Sequence, residues 1–141
     1  MSILATETAS ATAGREGRAS SADGKINLKI SPPGSHGTGT KPEQLFAAGY
    51  SACFGGAIGY AASLEKIPLK MADIQVTTTV QLHKDDSGFF IDATLDATLP
   101  TVSQEQAELL VAKAHTICPY SKATRGNIAV TLKANGTDVG G

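Results

Sequence analysis

Several stretches of the chain alternate apolar and polar residues with the period of a half-buried strand. Lys25 to Ser31 sets Ile26, Leu28 and Ile30 on one face and Lys25, Asn27 and Lys29 on the other. Asp73 to His83 alternates through Ile74, Val76, Thr78, Val80 and Leu82. Phe89 to Leu99 does so through Phe89, Ile91, Ala93, Leu95, Ala97 and Leu99. Asp85-Asp86-Ser87-Gly88 between them is a turn sequence, which predicts an antiparallel hairpin with one apolar face. Leu4 to Thr12, rich in Ala and Thr, is expected to be a strand. It would pair with Lys25–Ser31 as an N-terminal hairpin, after the glycine-containing turn Ala13 to Gly17. Asn127 to Ala134 predicts a last strand, and the remaining NGTDVGG a frayed tail.

Helical signals follow the Gly/Pro/Ser loop Pro32 to Thr40. Thr40-Lys41-Pro42-Glu43 fits a capping box with Pro in the first turn. From Gln44 to Leu64 no residue is charged, and the run is long enough to cross a bilayer at ~1.5 Å per residue. Ala, Gly and Ser dominate it, however, with only Leu45, Phe46, Phe54, Ile58 and Leu64 strongly apolar. That composition favours a helix buried on every side in a globular core over a membrane span. A short chain has little material to surround such a helix, which points to a dimer whose core takes this helix from each copy. Ser103 opens a second helix, with Gln106 completing a capping box. Ala107, Leu110, Val111, Ala114, Ile117 and Cys118 form its apolar stripe, and Pro119 ends it. The order strand, strand, helix, strand, strand, helix, strand predicts an α+β fold: an antiparallel sheet wrapped around a buried central helix.

Composition narrows the possible functions. The chain's 141 residues suit one domain, residues 1–141. A hydrophobic share of 41% excludes an intrinsically disordered chain. A net charge of −1 leaves no basic excess for a nucleic-acid partner. The N-terminus has no basic region leading into an apolar run, so no export signal is read and a cytoplasmic location is expected. Two cysteines are too few for a disulfide scaffold, and in a reducing compartment they pack inertly or do redox work.

Cys53 lies mid-helix among small residues, and Cys118 at a helix end before Pro119. Their spacing matches no zinc or CxxC pattern, but both sit on apolar faces expected to share one core. A pair of thiols that meet could form a bond made and broken in each turn of a cycle, as a thiol peroxidase requires. The attacking thiol must ionise, and a nearby guanidinium favours that. Arg15 and Arg18 on the glycine turn are candidates. Glu43 could orient such an arginine through a bidentate pair, or serve the capping box instead. His115, a turn before Cys118, leaves a Cys/His hydrolase conceivable. The two cysteines with His115 lack a fourth zinc ligand at usual spacing, so no metal is expected.

The blocks PEQLFAAGYSACF (Pro42 to Phe54), CPYSKATRGN (Cys118 to Asn127) and GREG (Gly14 to Gly17) resemble the organic hydroperoxide resistance (Ohr) proteins of the OsmC/Ohr family. Their order and spacing cover nearly the whole chain, and the CPYS block favours the Ohr branch over its OsmC sibling. The resemblance implies an OsmC-like fold, an intertwined homodimer with sites at the subunit interface, and a thiol-dependent peroxidase for alkyl and fatty-acid hydroperoxides. It implies Cys53 as the peroxidatic and Cys118 as the resolving cysteine, Arg15 as the activating arginine and Glu43 as its partner. It further implies no bound cofactor and an external dithiol reductant, dihydrolipoyl groups on a lipoylated protein. Three positions depart from the family pattern. Ala13 replaces the first glycine of the arginine turn, and Lys41 and Lys122 stand where asparagines are expected. The alternatives are an OsmC-type general stress peroxidase and a non-catalytic redox-sensing or lipid-binding module. Along one helix Glu43 and Cys53 are separated by roughly three turns, ~15 Å of rise and about 80° from facing alignment. Arg15 and Glu43 are therefore expected to reach Cys53 from the partner subunit.

Overall fold

The computed structural model describes residues 1–140. Backbone contacts divide the chain into two compact units, Met1–Leu45 and Phe46–Gly141.

The first unit holds a three-stranded antiparallel sheet of β1 (Ala9–Thr12), β2 (Arg18–Ser21) and β3 (Asn27–Lys29), in that spatial order. The expected pairing of the first strand with Lys25–Ser31 is corrected here. Arg18–Ser21 lies between them, with Thr12 opposite Arg18 and Arg18 opposite Lys29. RASS has no apolar alternation, so its strand character comes from pairing on both sides and not from burial. The first strand is also shorter than Leu4–Thr12, because only Ala9 to Thr12 find partners. Thr12 leads into a short 3-10 turn, Gly14–Glu16, that carries Arg15.

Helix α1 (Pro42–Glu65) starts in this unit and runs on through the second. Its start differs from the expected capping box. Pro42 is the first helical residue, and Gln44 Oε1 accepts the Lys41 backbone N–H at 2.9 Å. Only half of a box forms, one residue further on, and Glu43 is left free of it. The helix passes the length and composition test for a bilayer span, yet Tyr50, Phe54, Ala57, Ile58, Ala61 and Ala62 form a row buried in the core. Burial on every side does not hold within one chain. The opposite row, Ala48, Ala52, Gly56 and Tyr60, is exposed.

The second unit is built on a four-stranded sheet in the order β4 (Gln75–Asp85), β5 (Gly88–Thr98), β6 (Val130–Ala134), β7 (Thr137–Asp138). The β4–β5 hairpin closes at Asp85 opposite Gly88, and Asp85 Oδ1 accepts the Ser87 backbone N–H at 2.8 Å. The inward residues Ala93, Leu95 and Ala97 of β5 are fully buried. Phe89, on the same alternation, is 73% exposed, because the hairpin tip runs past the edge of the core. The sheet is mainly antiparallel, but β6 lies parallel to β5, with Leu132 opposite Leu95. Two helices, α2 (Gln104–Ile117) and α3 (Pro119–Thr124), fill the crossover that a parallel pair needs. The tail is not frayed as far as Asp138. Asn135 and Gly136 have φ of 50° and 82°, the positive pair of a two-residue hairpin turn, and fold β7 onto β6. Gly141, the end of that expected tail, lies outside the described residues.

Ser103 caps α2 as its sequence predicts. Its Oγ accepts the Gln106 N–H at 3.1 Å, while Gln106 Oε1 accepts the Ser103 N–H at 3.2 Å. The stripe Ala107, Leu110, Val111 and Ala114 is fully buried and joins Tyr50, Phe54, Ile58 and Leu95 in one core. Replacing Leu110 by Ala should cost about 2–5 kcal/mol, because it empties the centre of that cluster. Ser103→Ala should cost only about 1 kcal/mol. Urea unfolding of both variants checks the ranking.

Candidate active site

Pro119 decides where Cys118 points. A residue before proline is pushed out of the helical region, and Cys118 has φ −61° and ψ 122°. It therefore closes α2, with its N–H on the Ala114 carbonyl at 2.8 Å, and opens α3, with its carbonyl accepting from Lys122 N–H at 3.0 Å. At this elbow the Cys118 thiol donates to Cys53 Sγ on α1 across 3.2 Å. No disulfide joins the two; Cys118 is buried and Cys53 half-buried. A disulfide needs ~2.05 Å between its sulfurs, so closing the bond takes a movement of about an ångström.

Two influences compete at Cys53. Burial pushes its thiol pKa up, and this is the largest effect. The backbone amide of Tyr120, in the first turn of α3, pulls the other way, while the Cys118 sulfur beside it raises the pKa further. Beside the elbow, Phe46, Pro119, Tyr120, Ala123 and Thr124 line a cavity of about 370 Å³ whose walls are almost wholly apolar.

The Met1–Leu45 unit holds the charged pair. Arg15 Nη2 donates to Glu43 Oε1 at 2.8 Å and Nη1 to Oε2 at 3.1 Å, a two-pronged fork. That contact raises the Arg15 pKa and holds the Glu43 carboxyl below the usual carboxylate range. Glu43 thus serves the arginine and not the helix cap. Arg15 keeps 43% of its side-chain surface exposed, so solvent screens the pair and its contribution is aim more than stability. Arg18, the other candidate, donates Nε to Asn27 Oδ1 at 2.7 Å and belongs to the β2–β3 pairing.

Comparison with known proteins gives the family. Residues 34–133 match the family model for OsmC-like proteins. The chain belongs to the OsmC family. It is 46% identical over 134 residues to the organic hydroperoxide resistance protein of Xanthomonas axonopodis pv. citri, covering 92% of this chain and 94% of that one. It is 44% identical over 137 residues to organic hydroperoxide resistance protein OhrA of Bacillus subtilis, covering 92% and 95%. The crystal structure of the Bacillus subtilis organic hydroperoxide resistance protein OhrB superposes with a TM-score of 0.87 at 43% identity, covering 94% of this chain and 99% of that one. These relatives place the chain in the Ohr branch of the OsmC family.

Against the alternatives, His115 Nδ1 is engaged with Ser121 Oγ at 2.8 Å, and burial pushes its pKa down. Cys118 spends its thiol on Cys53, so the Cys/His pair of a hydrolase does not form. Among the described residues no three His, Cys, Asp or Glu side chains gather as metal ligands would. Sequence reasoning passed over Tyr50, Ser121 and Thr124, which join His115 in a buried cluster of hydroxyls. Their only signal was a Tyr one turn before Cys53 in a helix of small residues and a Ser and Thr spaced one turn apart after Pro119.

The departure at Ala13 has a structural cost in this OsmC-family chain. Ala13 adopts φ 58° and ψ 25°, the left-handed conformation that its Cβ disfavours. Gly17 closes the same turn, and a Cβ there would overlap the Thr12 carbonyl oxygen. Ala13→Gly should therefore stabilise the protein by about 1 kcal/mol, whereas Gly17→Ala should destabilise it by more than that. Thermal melts of the two variants read both signs.

Proposed function

We propose that this OsmC-family chain is a thiol-dependent peroxidase that reduces organic hydroperoxides to alcohols. The observation that carries the reading is the pair of unbonded sulfurs 3.2 Å apart beside an apolar cavity. The names of its relatives, organic hydroperoxide resistance proteins, point the same way.

The cycle starts with a Cys53 thiolate. It attacks the terminal oxygen of the hydroperoxide; the S–O bond forms, the O–O bond breaks, and the alkoxide takes a proton and leaves as the alcohol. Cys53 is left as sulfenic acid. Cys118 loses its proton and attacks that sulfur; the S–S bond forms, and the sulfenic oxygen departs as water. An external dithiol, on this reading a dihydrolipoyl group of a lipoylated protein, reopens the disulfide by exchange and leaves oxidised itself. The cycle uses no bound cofactor and suits a reducing compartment such as the cytoplasm. An alkyl tail in the cavity contributes roughly 0.8 kcal/mol per buried methylene, which favours organic substrates over hydrogen peroxide.

Burial alone disfavours the thiolate, so a cation is needed, and Arg15 aimed by Glu43 supplies it. It also stabilises charge on the leaving oxygen. We assign this guanidinium to the partner subunit of a homodimer. The separation of Glu43 and Cys53 along α1 supports that assignment, and so does the uncharged row Ala48, Ala52, Gly56 and Tyr60, left without a covering within one chain.

Consumption of tert-butyl hydroperoxide with dihydrolipoamide should be fast, with hydrogen peroxide a poor substrate. Cys53→Ser should abolish it; unchanged consumption in that variant would remove the peroxidase reading, whereas no consumption by the wild-type protein would favour a sensing or binding module. In a Cys118→Ser background, alkylation of Cys53 by iodoacetamide should rise with pH as the thiol ionises. Arg15→Ala should move that midpoint to higher pH, because the raising effect of burial is then unopposed. An unmoved midpoint excludes the arginine's role. Mixed dimers of Arg15→Ala and Cys53→Ser chains should recover one working site in two, whereas a same-chain arrangement leaves none.

A further inference from the structure

The buried hydroxyls around the elbow have no part in the chemistry just described, yet they lie one helical turn from each sulfur. Tyr50 precedes Cys53 by a turn on α1; His115 precedes and Ser121 follows Cys118 by a turn on α2 and α3. Tyr50 and Ser121 are fully buried and Thr124 nearly so.

Counting donors fixes the direction of each bond. Thr124 Oγ1 donates to the Ser121 carbonyl at 3.3 Å, so it accepts from Tyr50 Oη at 3.1 Å. Tyr50 has then spent its one proton and accepts from Ser121 Oγ at 2.8 Å. Ser121 in turn accepts from His115 Nδ1–H at 2.8 Å, as a ring neutral at its other nitrogen permits. Every hydroxyl donates once and accepts once, and no buried side-chain polar atom among the described residues is left unpaired. Arg125 Nη1 adds a bond from just past α3 to the His115 carbonyl at 2.7 Å. The result is a closed brace joining the helix of Cys53 to both helices that meet at Cys118.

We propose that Tyr50, Ser121 and His115 are positioning residues for the resolving step: their hydrogen-bonded chain holds the α2–α3 elbow so that Cys118 captures the Cys53 sulfenic acid before a second hydroperoxide does. The inference rests on the peroxidase reading. Tyr50, Ser121 and His115 neither line the cavity nor hydrogen-bond either sulfur, so they do not act on the first attack. The step it serves forms S–S, breaks S–O and releases water; its competitor adds a second oxygen to Cys53 at the expense of another hydroperoxide, giving sulfinic acid. Small displacements of reacting atoms carry large rate penalties, so a loosened elbow changes the ratio of the two outcomes.

The test follows the reduced protein after mixing with cumene hydroperoxide, by rapid quench and intact-mass spectrometry, which separates sulfenic, disulfide and sulfinic forms of one chain. Tyr50→Phe removes one oxygen and keeps the ring, and Ser121→Ala removes the hub. Both should form sulfenic acid at the wild-type rate, close the disulfide about 10- to 100-fold more slowly, and accumulate sulfinic acid at hydroperoxide concentrations the wild-type protein survives. Wild-type closure rates in both variants overturn the brace. So does an equal slowing of both steps, which is what general loosening would produce. If the wild-type protein itself forms neither sulfenic acid nor disulfide, the peroxidase reading falls first and the brace falls with it.

Discussion

The site depends on a single backbone constraint, the refusal of Cys118 to stay helical in front of Pro119. Were α2 to continue unbroken, the side chain of Cys118 would lie along the apolar stripe with Ala114 and Leu110. The break turns the chain and places the sulfur within contact of α1. It also starts α3 with unspent N–H groups, and the Tyr120 amide among them draws the Cys53 pKa down. One proline thus brings the second thiol to the first and supplies a dipolar contact to its partner.

The same burial that creates the sulfur pair works against its use. An apolar cavity admits an alkyl chain, but low polarity favours the neutral thiol over the thiolate, and Cys53 is shifted in that direction. Under the proposed cycle the guanidinium of Arg15 resolves the conflict. An arginine keeps its charge when partly desolvated, while a lysine in that role would give up its proton. Glu43 then has two effects on that charge. It fixes the plane of the fork, and it neutralises part of the field that the sulfur would feel. Orientation is gained at some expense in electrostatic strength, which suits a group that must meet an oxygen at one angle.

Much of this was legible in the residues. The α+β class, the β4–β5 hairpin and the capped α2 follow from periodicity and turn chemistry. Apolar faces put Cys53 and Cys118 in one core, and their pairing came through resemblance to a family. The roles of Arg15 and Glu43 came through resemblance to a family, since spacing alone left Arg18 and the helix cap as rivals. What stayed hidden has physical causes. Arg18–Ser21 is a strand because neighbours hydrogen-bond it, and RASS has no pattern of its own. Thr40 was read as a cap because it matches one, but Pro42 fixes the first helical residue, and Gln44 reaches back to the Lys41 N–H instead. Asn135-Gly136 is a strong hairpin signal, obscured by its place near the end of the chain. The hydroxyl cluster is a product of tertiary packing, because its members come from separate helices.

The small residues of α1 tie these features together. An ideal Cβ at Gly49 would sit 3.1 Å from Tyr120 Oη and 3.2 Å from Cε2 of its ring. Glycine there lets the start of α3 lie close against α1, and that closeness is what the 3.2 Å sulfur contact requires. Tyr120 also packs against Tyr50, with ring centroids 5.8 Å apart, so the wall of the cavity and the foot of the hydroxyl brace share an aromatic contact. A side chain at Gly49 would move Tyr120, and Tyr120 carries both the amide that draws the Cys53 pKa down and one wall of the cavity. The low hydrophobic content of α1, which at first argues against a core helix, is therefore part of the site. It trades apolar area for close approach, and close approach is the property on which two-thiol chemistry depends.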